Sequence, residues 1–372
     1  MKSGLRISGL AVALIGLAYA CDIAPAHSFE LTPKPTKSEE ALAKKQRGIL
    51  FRATYPIIEF GLHTFSTAVH EGLTHLAYDC PLETLSECAD PDLDAAAPGV
   101  IVGVRWNDNP PFQFASGQGK YKGCSTQIDP PPTISFALAV DCWYAHFKDV
   151  SAKAEAKPDT YITGRGTLLA RSHFGDLQFL HAMATRAGIP AEETKQKILM
   201  WAEFTWKVQS HDKEEWIAPV TRMGTIPVPG MLDHFPKQEI RDIENLFTVG
   251  RTWVRHQLRD IAFGSFLHMV QDSFAGGHVA RRARADAHCS APEIVEFHSY
   301  PGQVKAAHKA GDSLESATAK AAGQGASLVD VLKKLVWFRE RDALWTQVRP
   351  YLDSCVFRLG DGARVSSTDV SE

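Results

Sequence analysis

The chain has 372 residues, 44% of them apolar, and a formal net charge of −3. That length and apolar content allow a large buried core, in one big domain or two. The near balance of charge excludes the basic excess of a dedicated nucleic-acid binder, so no stable nucleic-acid partner is expected.

Lys2 and Arg6 precede an apolar run, Leu10 to Ala18, which closes on Ala18-Tyr19-Ala20-Cys21. A basic start, a short apolar stretch and small residues at its end predict a secretory signal over 1–20. The run is too short for a comfortable membrane span and no later stretch matches it, so no transmembrane segment is expected. The mature protein is placed as secreted or periplasmic. A lipid anchor on Cys21 is the competing reading. Cys80, Cys88, Cys124, Cys142, Cys289 and Cys355 form an even set, which in an exported chain favours disulfides. Nearest-neighbour pairing (80–88, 124–142, 289–355) is the simplest choice among the possible connectivities. No cysteine pair has the C-x2-C spacing of a thiolate zinc site.

Residues 21–50, rich in Pro, Lys and Glu, read as a flexible lead-in. The first helix is expected from Tyr55-Pro56 onward and carries His63 and His70, the latter beside the apolar stripe of Leu73 and Ala77. In His70-Glu71…His75 the second histidine falls at i+5, off the face that an H-E-x-x-H metalloprotease needs. From Cys80 to about Pro132 the chain is loop-rich, with Val/Ile runs that suit short strands. Within this stretch Trp106-Asn107-Asp108 lies just before a Pro-Pro turn. A carboxylate there either caps the turn or serves a metal or a base.

Helices are expected at 134–149, at 165–187 with His173, Asp176 and His181, and from Pro190 to about His211. His173 and Asp176 share a face, and on a continuous helix His181 stands about 80° from His173. Residues 218–236 read as a loop, apolar enough to be a lid or substrate rim. Helices resume at 236–247 and 253–274. The second of these carries His268-x3-Asp272-x5-His278. Residues four apart on a helix are about 40° from each other, so His268 and Asp272 point the same way. Gly276 and Gly277 let the chain turn so that His278 can swing to the same point. Two imidazoles and a carboxylate are a zinc ligand set. Arg281-Arg-Ala-Arg284 reads as a solvated helix end or, beside a metal, an anion holder. His308 and Asp312 repeat the i, i+4 geometry, and 326–352 reads as a last core helix. Helical periodicity dominates, so the fold class expected is all-α: a single multi-helix domain over 51–352 followed by a tail at 353–372.

Together these motifs resemble the superfamily of zinc-dependent phospholipases C and fungal single-strand nucleases. The likeness is carried by His268-x3-Asp272-x5-His278, His308-x3-Asp312, His70-x2-Leu73-x3-Ala77, Trp106-Asn107-Asp108 and His173-Phe-Gly-Asp176. It implies an all-α phosphodiesterase with two or three Zn²⁺ held by His70, Asp108, His173, His268, Asp272, His278, His308 and Asp312. Asp108 would also orient or deprotonate the attacking water. On the alternative alignment Asp176 and His181 are the ligands in place of Asp108 and His173. The family's N-terminal Trp has no counterpart after the expected cut, so a third zinc would fall to His70 with Asp272 and a group such as His63. Gln271 and Asp286 are candidate supporting residues. The activity implied is phospholipase C cleavage of phosphatidylcholine-like lipids at a membrane surface. The alternatives are a single-strand nuclease and a non-catalytic, zinc-stabilised exported protein.

Overall fold

The computed structural model describes residues 69–78, 95–114, 124, 133–134, 139–162, 164–210, 223–235, 242–249, 256–283, 289, 291–300 and 328–366. These form a mostly helical structure with one small sheet. The helices are α1 (Val69–Ala77), α2 (Pro98–Val104), α3 (Val140–Ala156), α4 (Leu168–Phe174), α5 (Ala191–Ser210), α6 (Ile243–Thr248), α7 (Leu258–Asp272), α8 (Leu328–Glu340) and α9 (Trp345–Tyr351). The strands are β1 (Val279–Arg282), β2 (Glu293–His298) and β3 (Leu359–Ser366).

Helix α7 is the axis of the core. Every residue from Ile261 to Asp272 is buried, as expected of a helix apolar on all sides. Helix α5 packs along it, with Trp206 set edge-on to Phe263 and Phe266 at 6.0 and 5.6 Å. Helix α1 lies against α2, α7 and α8. Helix α2 approaches α7 most closely, and two glycines permit it. A Cβ on Gly264 would stand 2.2 Å from the Val100 carbonyl oxygen and 2.5 Å from the Val104 nitrogen; one on Gly103 would stand 2.2 Å from the Ile261 oxygen. Backbone therefore meets backbone at this crossing. Val100-Ile-Val-Gly-Val104, in the stretch expected to hold strands, is helical instead. Pro98 opens it at the first turn, where a missing N–H costs nothing.

The stretch 165–187 is not one helix. Helix α4 ends at Gly175, where Tyr161 presses so closely that a Cβ would meet its carbonyl oxygen at 2.5 Å. The chain then re-enters as a single 3-10 turn, Gln178–His181, closed by Ala182 at φ 53°. The last core helix also divides, at Asp342 (φ 49°), into α8 and α9.

A small sheet accompanies the helices of the expected all-α class. Strand β2 pairs antiparallel with β1 and parallel with β3. The expected tail at 353–372 is ordered chain up to Ser366: Cys355, Val356 and Phe357 are buried, and β3 completes the sheet. Two of the suggested disulfides are formed. Cys124–Cys142 ties the loop-rich segment to α3, and Cys289–Cys355 ties the link before β2 to the C-terminal turn. Cys80, Cys88 and residues 1–68, including the expected signal and lead-in, lie outside the described residues.

Gly264→Ala is predicted to force α2 and α7 apart and to lower stability by about 2–3 kcal/mol, read as a shift in urea midpoint. Gly224→Ala, whose Cβ would meet only the Leu232 side chain at 3.9 Å, is the control and should stay within about 0.5 kcal/mol. Equal midpoints for both would refute the close crossing.

Candidate metal centre

Six side chains from five separate elements meet beside the α2–α7 crossing: His70, Asp108, His173, His181, His268 and Asp272. Helix α1 supplies His70, with Leu73 and Leu76 fixing its buried face. Asp108 sits in the turn after α2. Trp106 anchors that turn, donating its indole N–H to the Phe247 carbonyl at 3.1 Å and stacking on Trp201. The pinned aromatic loop read from sequence is thus present. His173 comes from the end of α4 and His181 from the 3-10 turn. Because the chain breaks at Gly175, both face one centre, which a continuous helix would not allow. His268 and Asp272 project from α7 one turn apart.

The spacings between these groups suit cations. Atoms bound about 2.0–2.2 Å from one zinc lie roughly 3.3–3.6 Å from each other. His70 Nε2 is 3.5 Å from Asp272 Oδ1 and 3.7 Å from Asp108 Oδ2. Asp108 Oδ1 lies 3.6 Å from His181 Nδ1, 3.7 Å from His268 Nε2 and 3.9 Å from His173 Nε2. Three trios have ligand atoms close enough to share an ion: His70–Asp108–His268, Asp108–His173–His181 and His181–His268–Asp272. Asp108 belongs to two of them.

The imidazoles are also oriented for the task. His70 Nδ1–H donates to Gln271 Oε1 at 2.6 Å, His268 Nδ1–H to the Val104 carbonyl at 2.6 Å and His173 Nδ1–H to the Leu169 carbonyl at 3.0 Å. His181 is held the other way round, Nε2–H donating to the Asn107 carbonyl at 3.1 Å. A carbonyl oxygen only accepts, so the anchored nitrogen carries the proton. The opposite nitrogen is turned to the carboxylates, with His181 Nδ1 2.8 Å and His268 Nε2 2.9 Å from Asp272 Oδ2, so a metal bound there would take the place of a proton. A second hydrogen bond of this kind is the usual support of a metal-ligating histidine. With these orientations and spacings the donor set could hold a metal ion.

The electrostatics agree. Burial works against ionised Asp272, yet His268 and His278 outweigh it and hold the carboxyl well below the usual range. Burial also lowers His268, but Asp272 and Asp108 more than reverse this and raise it to about 9. His70 is pushed well below its ordinary value by burial and by His268, and His173 by burial and by His181. Two carboxylates with 9% or less exposure thus draw positive charge to themselves. Solvent reaches the cluster mainly at Asp108 and His173, whose side chains are 9% and 13% exposed. Phe147 lies edge-on to His173 at 5.2 Å, and the half-buried Trp143 stacks on Phe147.

The other expected residues fare differently. His278 is buried beside the cluster and, like His173 and His268, is anchored through Nδ1–H to a carbonyl, that of His181 at 2.7 Å, with Nδ1 3.6 Å from Asp272. It completes none of the three trios. Asp176 stands apart, paired with the Arg171 guanidinium at 2.6 and 2.8 Å. The geometry therefore follows neither alignment alone: it groups Asp108 and His173 from one with His181 from the other. His63, Asp286, His308 and Asp312 lie outside the described residues. Gln271 is a support, as expected. Thr74, bonded to Gln271 Nε2 at 2.9 Å, and Asn107 were not anticipated. The only signal for them was an amide residue directly before each acid, Asn107-Asp108 and Gln271-Asp272.

Two expectations concern the surroundings. Of the four apolar residues behind the lid or rim reading, Ile226, Val228 and Met231 are core residues, whereas Leu232 is exposed. Arg281 is a strand residue whose guanidinium donates to the Ser273, Pro292 and Val356 carbonyls, and Arg282 pairs with Glu293. Arg284 lies outside the described residues. Comparison with protein-family models, curated proteins and solved structures gives no match.

For Asp176, burial alone raises the carboxyl, but the Arg171 and His234 contacts prevail and hold it below its ordinary value. A depressed carboxylate stabilises the fold above the unfolded pKa, and that contribution is lost as pH falls through the folded one. Asp176→Asn should therefore cost about 3 kcal/mol at neutral pH, with the gap to wild type closing in acid and metal uptake unchanged. Urea midpoints over a pH series check this; a gap that is constant with pH would contradict it.

Proposed function

We propose that the protein is an exported zinc-dependent phosphodiesterase, a phospholipase C that cleaves the glycerol-side phosphodiester of phosphatidylcholine-like lipids. The observation that carries the reading is the convergence of four anchored imidazoles on two buried carboxylates at metal-ligand spacing. A purely structural zinc site is usually four-coordinate and rich in Cys. Here the cluster contains no Cys, and the four described cysteines are disulfide-bonded. Those disulfides fit an oxidising, exported environment.

His70, Asp108, His173, His181, His268 and Asp272 would hold two or three zinc ions. Bound zinc supplies the Lewis acidity that polarises a phosphodiester and makes water nucleophilic at neutral pH. Asp108, at the solvent edge, is the group placed to orient a water and accept its proton. His173 shares that edge and fixes where a substrate phosphate can enter. Asp272, His70 and His268 lie deeper, and the apolar helices around them exclude bulk water, which strengthens every charge interaction in the site.

The near-neutral chain charge favours a lipid over a long polyanion. A single-strand nuclease is the second reading, supported by the stacked Trp143–Phe147 pair next to His173, since stacked aromatics beside a phosphodiester site suit unpaired bases.

Purified protein is expected to contain two or three zinc ions per chain and to hydrolyse p-nitrophenylphosphorylcholine in a chelator-sensitive manner, faster than it degrades single-stranded DNA. DNA degradation alone would move the assignment to the nuclease, and one inert zinc would remove the enzyme. His268→Ala and Asp272→Ala should each lose metal and at least about 100-fold in activity while keeping both disulfides. Full activity in both variants would exclude this cluster as the site.

A further inference from the structure

Asn107 is fully buried between Trp106 and Asp108 and uses its whole amide within the protein. Its Nδ2 donates to the Leu180 carbonyl at 2.6 Å and to the Ser265 carbonyl at 3.2 Å, and its Oδ1 accepts the Ser265 hydroxyl at 2.6 Å. Its own carbonyl accepts His181 Nε2–H. The Ser265 hydroxyl in turn accepts the Trp201 indole N–H at 3.2 Å. One residue thus grips the chain next to His181, the chain three residues before His268 and the chain next to Asp108. Those three groups face one another at 3.2–3.7 Å.

The grip also explains why His181 differs from its neighbours. His70, His173 and His268 are anchored through Nδ1, but His181 is anchored through Nε2 and turns Nδ1 to the carboxylates. The Asn107 side chain holds the turn against Leu180 and Ser265 while its carbonyl accepts His181 Nε2–H. A buried Asn that merely satisfied stray carbonyls would have no reason to join three ligand-bearing segments, and the Ser265 carbonyl it contacts lies mid-helix.

We propose that Asn107 is a positioning residue for the metal centre, setting the tautomer and orientation of His181 and its distance from Asp108 and His268. The role rests on the reading of the cluster as a metal site. Losing such a support typically weakens metal binding 10- to 100-fold.

The test uses Co²⁺, whose visible absorption reports ligand geometry, titrated into metal-free wild-type, Asn107→Ala and Ser265→Ala protein, with circular dichroism to verify folding. Asn107→Ala should bind Co²⁺ about 10- to 100-fold more weakly with a shifted spectrum. Ser265→Ala, which frees the amide on one side only, should shift both in the same direction by less, and it decides the matter if Asn107→Ala does not fold. Wild-type affinity and spectrum in the folded variants would overturn the role of Asn107 alone. No Co²⁺ uptake by the wild-type protein would overturn the metal reading and this role with it. A lowered melting temperature with unchanged Co²⁺ affinity and spectrum would mark Asn107 as structural only and also overturn the proposal.

Discussion

The close approach of two backbones at Gly103 and Gly264 is the constraint on which the site depends. With no side chain between them, α2 and α7 come near enough for the Val104 carbonyl to accept from His268 Nδ1. The same contact delivers the turn after α2, and Asp108 with it, to the open side of His268. A methyl group at either glycine would stand 2.2 Å from a backbone oxygen of the facing helix. Fold and site are therefore joined at this crossing: the helix pair that organises the apolar interior also sets the distance between carboxylate and imidazole.

What is assembled there runs against ordinary interior chemistry. Buried charges are normally resolved in pairs, and elsewhere this protein does so. Glu71 meets Arg105 at 3.3 Å, and Arg171 meets Asp176. At the centre, among the described residues, the groups that face Asp108 and Asp272 are imidazoles. Local departures of this kind are where functional sites are expected. The carbonyl anchors behind the rings hold the histidines in place against their mutual repulsion.

The sequence revealed the parts of this centre that obey helical spacing. His268 and Asp272 are one turn apart on a helix, so periodicity placed them together; it put His70 only beside an apolar stripe, and the family resemblance made it a ligand candidate. The pinned turn at Trp106-Asn107-Asp108 was legible from its aromatic and prolines. His181 entered only as an alternative, because its position depends on the break at Gly175, which Tyr161 imposes from a distance in the chain. Asp176 was misleading for a similar reason: nothing in the order of residues pairs it with Arg171. The sheet was missed because β3, Leu-Gly-Asp-Gly-Ala-Arg-Val-Ser, holds two glycines and no clean alternation. It gains its order from β2 and from the disulfide at Cys355. In the 223–235 segment apolar residues look alike in sequence whether they fill a core, as Ile226, Val228 and Met231 do, or stand exposed, as Leu232 does.

The most direct test of the central claim is anomalous scattering at the zinc absorption edge from crystals grown with zinc. The account predicts two or three peaks within bonding distance of His70, Asp108, His173, His181, His268 and Asp272, with Asp108 shared between ions. A zinc-saturated crystal with no peak among these side chains would contradict it.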